Sequence, residues 1–306
     1  MNDYSLLEQL CTIHAPSGNE SALSAYIIDY VKTHSHTWEQ QPRIFSGDGF
    51  QDTVVLVFGN PKTAVYAHID SIGFMAGYGN ELVPIGSPRF TMQTQLTGVD
   101  SQSEICCTAI ADDEGNFSYE FSRAIERGTT LCYKPNFKVE NDCIISPFLD
   151  NRAGVFCALQ IAETAQNCAI AFSTYEEHKG GSVQFLQRFL SGTFTLHQAL
   201  IADITWVTRG IEAGKGCVLS LKDSLVPRKS FTDKIQAIAH ATGINLQLEV
   251  EHSGGSDGGC LQASPYAIDW AFVGAPQEGS HSPQEKLHCR DLQAMIDLYK
   301  ILLNEL

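Results

Sequence analysis

The sequence predicts an α/β fold, a mixed sheet with helices on both faces, carrying a small inserted all-β domain. Three observations predict it. Apolar runs of strand length alternate with helix-period segments over most of the 306 residues. The helical period is lost between about 77 and 143, where turn signals recur at Gly79-Asn80, Asp113-Glu114-Gly115 and Gly128. Acidic and histidine residues fall just after strands or at helix starts, which is where open α/β sheets place their sites. The expected division is one domain made of 1–76 and 144–306, interrupted by an insertion at 77–143.

Residues 3–13 carry Leu6, Leu7, Leu10 and Ile13 at helical spacing, and Pro16 ends that pattern. Ser17 and Glu20 have the capping-box spacing for a second helix that runs to about Lys32 and buries Leu23, Tyr26, Ile27 and Tyr30. The polar segment from His34 to Gln41 reads as a connection, with His34 and His36 exposed. Thr53 to Phe58 and Thr63 to Ala67 are β-branched and apolar, with Gly59-Asn60-Pro61 turning between them. The second of these strands delivers His68 and Asp70, which strand alternation puts on one side. A carboxylate beside a histidine suits a ligating imidazole, whose tautomer it can fix.

Beyond the insertion, Asp150 precedes a helix over about 152–165 that starts with small residues. A carboxylate at a helix start is often only an N-cap. Ala169-Ile170-Ala171-Phe172 reads as a buried strand opening into Glu176-Glu177 and the glycines 180 and 181. An isolated Glu-Glu pair would be a solvated loop edge, so the rest of the chain has to give it meaning. A helix follows from Ser182 to Leu190, then a strand, 199–202, that ends in Asp203. Strands at 215–221, 246–250 and 268–273 alternate with a helix at 230–242. The loop Ser253 to Gly259 is glycine-rich but lacks the Lys-Ser/Thr of a phosphate cradle. Gly274-Ala275-Pro276 leads to His281, and the final amphipathic helix spans about 290–304.

Composition removes several classes. A formal charge of −15 argues against nucleic acid and anionic membrane surfaces as partners. No apolar run approaches the roughly 20 residues needed to cross a bilayer. The N-terminus lacks the basic start and apolar stretch of a signal peptide. Ten cysteines with no C-x-x-C spacing read as reduced, mostly buried thiols in a cytoplasmic protein.

The segments Ala67 to Phe74, Leu149 to Gly154, Glu176-Glu177, Ala202-Asp203, Gly254 to Asp257 and His281-Ser282 with Glu285 behind it resemble, in that order, the M42 family of metallo-aminopeptidases (glutamyl aminopeptidase/TET-like). That family lies in the clan of co-catalytic zinc exopeptidases. The resemblance covers nearly the whole chain, and its specificity lies in the ordered set. It implies an α/β catalytic domain interrupted by a β-barrel-like domain. It implies two divalent metal ions, zinc or else cobalt or manganese. His68 and Asp203 would hold one ion, Glu177 and His281 the other, and Asp150 would bridge them. Asp70 would orient His68, and Glu176 would be the general base. Short peptides would be the substrates and a homo-oligomer the assembly.

The chain departs from the family pattern at His178-Lys179-Gly180-Gly181, in a shorter insertion, and at Gly47-Asp48-Gly49-Phe50. None of these removes a candidate ligand. With no candidate ligand between Asp70 and Asp150, the insertion is expected to be an oligomer contact or a roof and to stay out of the chemistry. Two other readings stay open: a deacylase or other amide hydrolase of the same clan, distinguished by whether a free N-terminal amine is required, and a non-catalytic binding protein on this scaffold.

Overall fold

The computed structural model describes residues 3–90 and 93–306. Eleven strands form a mixed sheet. From one edge it runs Arg43–Phe45, Val54–Val57, Cys168–Ser173, Thr63–His68, Gln198–Trp206, Asp269–Glu278, Glu285–His288, Cys143–Ser146 and Lys138–Glu140, with Cys217–Lys222 and Leu246–Val250 joined to the side of Asp269–Glu278. Its centre is parallel: Thr63–His68 lies between Cys168–Ser173 and Gln198–Trp206, with Ser173 level with His68. Their carboxyl ends therefore open on the same side. Strand alternation sends successive residues to two cores. Val54, Leu56, Val65, Ala67, Ile170 and Phe172 pack on the helices Ser5–Thr12, Ser21–His34, Leu149–Ala162, Lys229–Thr242 and Cys289–Glu305. Val55, Val57, Ala64, Tyr66, Ala169 and Ala171 pack on Val183–Thr193 and Gly258–Gln262. The fold class is thus the one expected, with helices on both faces.

A six-stranded closed barrel, from Gly73–Ala76 to Thr130–Tyr133, interrupts this sheet around its own core of Ile72, Phe74, Leu96, Ile105, Ala109, Leu131 and Tyr133. Positions 91 and 92 lie outside the described residues. The strands Lys138–Glu140 and Cys143–Ser146 already belong to the large sheet.

Several local expectations need correction. Ser17 and Glu20 do not form a capping box: the Ser17 hydroxyl donates to Asp70 Oδ2 (2.6 Å), and Glu20 accepts from the amides of Gly18 (2.9 Å) and Tyr175 (3.3 Å). Tertiary partners outbid the local pattern. Asp203 lies inside a strand that continues to Trp206, and residues 274–276 lie inside Asp269–Glu278. The strands Arg43–Phe45 and Glu285–His288 went unpredicted, being too short to carry a period. All ten cysteines are unpaired. Among the described residues no helix is long and apolar enough to cross a membrane.

Arg152 is the largest fully buried side chain. It donates to the main-chain carbonyls of Leu10 (3.2 Å) and Ile69 (2.6 Å), tying the first helix to the segment after the central strand. Arg152→Ala would leave the Ile69 carbonyl buried without the guanidinium donor, leave that of Leu10 with only the Ile13 amide (3.4 Å), and open a cavity. The expected loss is at least about 3 kcal/mol of unfolding free energy, read from denaturant midpoints. A change below about 1 kcal/mol would mean that water replaces the guanidinium at no cost.

Candidate metal centre

His68 ends a fully buried strand, so its ring emerges at the sheet's carboxyl edge. Its Nε2 lies 3.3 Å from Asp150 Oδ1 and 3.5 Å from Asp203 Oδ2. On the other side of Asp150, Oδ2 lies 3.3 Å from His281 Nε2, which is 3.2 Å from Glu177 Oε2. Two trios result, His68–Asp150–Asp203 and Asp150–Glu177–His281, each with its ligand-type atoms within 4.8 Å of one another. Asp150 belongs to both. Glu176 Oε2 stands 4.0 Å from His68 Nε2. All seven residues singled out in the sequence meet here.

Each is placed by identifiable chemistry. Tyr175 takes a left-handed conformation (φ 64°), turning the chain so that the amides of Glu176 and Glu177 both donate to the Asp70 carboxylate at 3.0 Å. Asp70 Oδ1 also lies 3.5 Å from His68 Nδ1. One buried carboxylate thereby ties the histidine to the Glu-Glu turn. The helix after Asp150 approaches the strand that carries Asp203 because residue 154 is glycine: a Cβ there would stand 2.2 Å from the Ala202 carbonyl oxygen. Asn151 Nδ2 donates to that carbonyl at 2.9 Å. The Asp150–Asn151 peptide is cis. Glu285 accepts from the amides of Asp150 (3.0 Å) and His281 (2.7 Å), so one buried side chain sets both loops of the second trio.

Three contributors were given no role from the sequence, although Ser256 and Asp257 lie in one of the segments that carry the resemblance. The Ser256 hydroxyl donates to Asp203 Oδ2 (2.6 Å). Asp257 accepts from Ser173, and burial pushes its carboxyl up to about 7. The third lies in the insertion, which supplies no ligand-type atom of either trio but touches His281. Ser87, on the barrel side, bonds His281 Nδ1 (2.7 Å), the Gly86 amide donates to His178 Nδ1 (3.1 Å), and the Arg89 amide donates to the His281 carbonyl (2.8 Å). A single serine in a turn-rich stretch carries no sequence signal.

The electrostatics ask for positive charge. Burial opposes a charge on His68, yet the surrounding Asp203, Asp150 and Asp70 hold its pKa well above the usual value. Burial likewise opposes charge on His281, but Asp150 and Glu177 raise it to about 11. Burial and the Asp150 charge push Glu177 up to about 7, and burial raises Glu176 well above its usual range. Asp203 is raised by burial too. Asp150 and Asp70 are lowered, because burial is outweighed by hydrogen bonds, from His281 and His68 to Asp150 and from His68 and Ser17 to Asp70. Two buried carboxylates, two half-buried ones and two imidazoles, with no lysine or arginine lining their cavity, need cations or protons to be neutral. Glu177 Oε1 is buried without a hydrogen-bond partner. An orphan acceptor among oxygen and imidazole donors is what a divalent ion such as zinc, cobalt or manganese would satisfy.

Comparison with known proteins agrees. The profile of the M42 glutamyl aminopeptidase family matches residues 97–298. The lysyl aminopeptidase of Pyrococcus furiosus is 26% identical over 295 residues, 80% of this chain and 82% of that protein. An aminopeptidase from the archaeon Desulfurococcus kamchatkensis superposes with a TM-score of 0.86 at 19% identity, covering 98% of this chain and 94% of that one. The Pyrococcus horikoshii TET1 peptidase, which can assemble into a tetrahedron or a large octahedral shell, superposes with a TM-score of 0.82 at 20% identity over 98% of both chains. With more than half of its length matched by the family profile, this chain belongs to the M42 glutamyl aminopeptidase family and is a peptide hydrolase.

Proposed function

We propose that this chain is a two-metal aminopeptidase that removes N-terminal residues from short peptides, with Glu176 as general base. The observation that carries the reading is Asp150, whose two oxygens face His68 and His281 at 3.3 Å each and so join the two trios. His68 and Asp203 would hold one ion, Glu177 and His281 the other, with Asp150 between them. When bound, such a pair supplies an acidified water and a polarised scissile carbonyl. Zinc suits the donors best, with cobalt or manganese as substitutes.

The protein's own part is positional. Glu176 is the more exposed of the two glutamates, with 19% of its side chain accessible against 3% for Glu177. It therefore reaches the space where water enters, takes the attacking water's proton and hands it to the leaving amine. A carboxylate so placed can hold the proton between those steps. Asp70 keeps His68 and the Glu-Glu turn in register while this happens. We also take the insertion expected at 77–143 as a unit distinct from the catalytic domain of 1–76 and 144–306, with its edges moved so that Gly73–Ala76 joins the barrel and Lys138–Glu140 joins the large sheet. We infer a homo-oligomer by analogy with the TET relatives. Unpaired cysteines support a reducing, cytoplasmic setting.

Metal analysis after repletion, followed by assay on aminoacyl and N-blocked peptides, tests the reading. Stoichiometry should saturate near two ions per chain, and activity should require a free N-terminal amine. Saturation at one ion would sink the two-metal reading. Turnover of blocked peptides alone would favour the deacylase alternative.

A further inference from the structure

The cavity above the centre continues past Thr205 and Trp206 to a second acidic group, Asp223, Glu249 and Glu251, which come from two places in the chain, the ends of Cys217–Lys222 and Leu246–Val250. None of the three belongs to either ligand-type trio. Asp223 and Glu249 are buried, at 7% and 5% exposure, and still face the cavity. Glu249 accepts from the Thr205 hydroxyl, and Asp223 from the Leu225 amide (2.6 Å). No lysine or arginine lines this cavity. Lys222 stands beside it, with its ammonium turned to the main-chain carbonyls of Asp223 (2.6 Å) and Glu251 (3.2 Å).

The floor places a buried hydroxyl beneath these acids. Ser220 lies in register between Glu249 on one neighbouring strand and Phe272 on the other. Residues paired across strands share a face, and both neighbours line the cavity. Ser220 is 2% exposed, and its hydroxyl makes no hydrogen bond of normal geometry but stands close enough to the Glu249 carboxylate to favour its charged form.

Resting on the aminopeptidase reading above, we propose that this end of the cavity receives the side chain of the substrate's N-terminal residue and selects a basic one, lysine or arginine. The apolar stem packs along Trp206 and Phe272, as long cationic side chains do on aromatic walls. The ammonium or guanidinium meets Glu249, Asp223 and Glu251 out of bulk water, where charge pairing is strongest. A glutamate side chain would meet like charge in the same place, so the specificity in the family's name does not fit this pocket.

The test uses the full metal-loaded chain with lysyl, arginyl, leucyl and glutamyl p-nitroanilides, and calorimetric titration with L-argininamide and L-leucinamide. The kcat/KM for the basic substrates should exceed that for leucyl by at least about tenfold and that for glutamyl by more. Glu249→Gln should lower the lysyl-to-leucyl ratio by about tenfold. Glu251→Gln, at a less buried position, should move it the same way, and a ratio taken within one preparation is insensitive to the folded fraction. Equal rates for lysyl and leucyl substrates, or a preference for glutamyl, would overturn the basic pocket and leave the aminopeptidase reading standing. If no aminoacyl substrate turns over, that reading fails instead. The pocket is then judged by the titrations, where L-argininamide must bind more tightly and equal affinities overturn it.

Discussion

Glu176→Gln should lower kcat by about 10²–10⁴ while metal content stays at the wild-type level. The amide keeps the size and hydrogen bonding of the carboxylate but cannot take a proton. Glu176 Oε2 is 4.0 Å from the nearest histidine nitrogen, further than the contacts made by either oxygen of Asp150, so it is the member of the constellation least suited to holding an ion. Glu177→Gln should give the opposite pattern. Its Oε2 lies 3.2 Å from His281 Nε2, so one ion should bind more weakly and added metal should restore part of the activity. Metal content measured beside kcat for both variants decides the matter. If Glu176→Gln loses metal and Glu177→Gln keeps it, the two roles are exchanged.

Asp150→Ala should cost both ions together. Each trio contains Asp150, so removing it leaves a histidine and one carboxylate on either side. The affinity loss should exceed the roughly 10–100-fold that follows loss of a residue merely hydrogen-bonded to a ligand. Activity should be undetectable at metal concentrations that saturate the wild type. Thermal unfolding of the metal-free proteins is the control. The bonds from the Asp150 amide to Glu285 and from Asn151 to Ala202 do not use the Asp150 side chain, so the fold should persist. A variant that keeps one ion would show that the trios are independent sites and not a bridged pair.

Much of this centre was legible because its residues follow apolar runs. His68, Glu176-Glu177 and Asp203 are polar breaks after stretches that have to be strands, and a parallel sheet brings such breaks together. Period says less about where a strand stops, which is why Asp203 and Gly274 turned out to lie within longer strands. The Ser17-to-Glu20 spacing misled because a local capping pattern does not register distant acceptors such as Asp70. The pocket acids were invisible for another reason. Asp223, Glu249 and Glu251 are unremarkable singly, and only the pairing of Leu246–Val250 with Cys217–Lys222 gathers them at one wall.

The hydrogen bond between Ser87 and His281 joins residues 194 positions apart. Contacts of such long sequence separation carry a large loop-closure cost and tend to form late in folding. A growing chain could complete the His68–Asp150–Asp203 trio once Asp203 had emerged, but the second trio must wait for the hairpin around residue 281 to return to the barrel. On the two-metal reading, hydrolytic competence therefore waits for the segment that carries His281. A nascent peptidase that stays silent until that segment has been made poses little hazard to the unfolded segments around it, its own included.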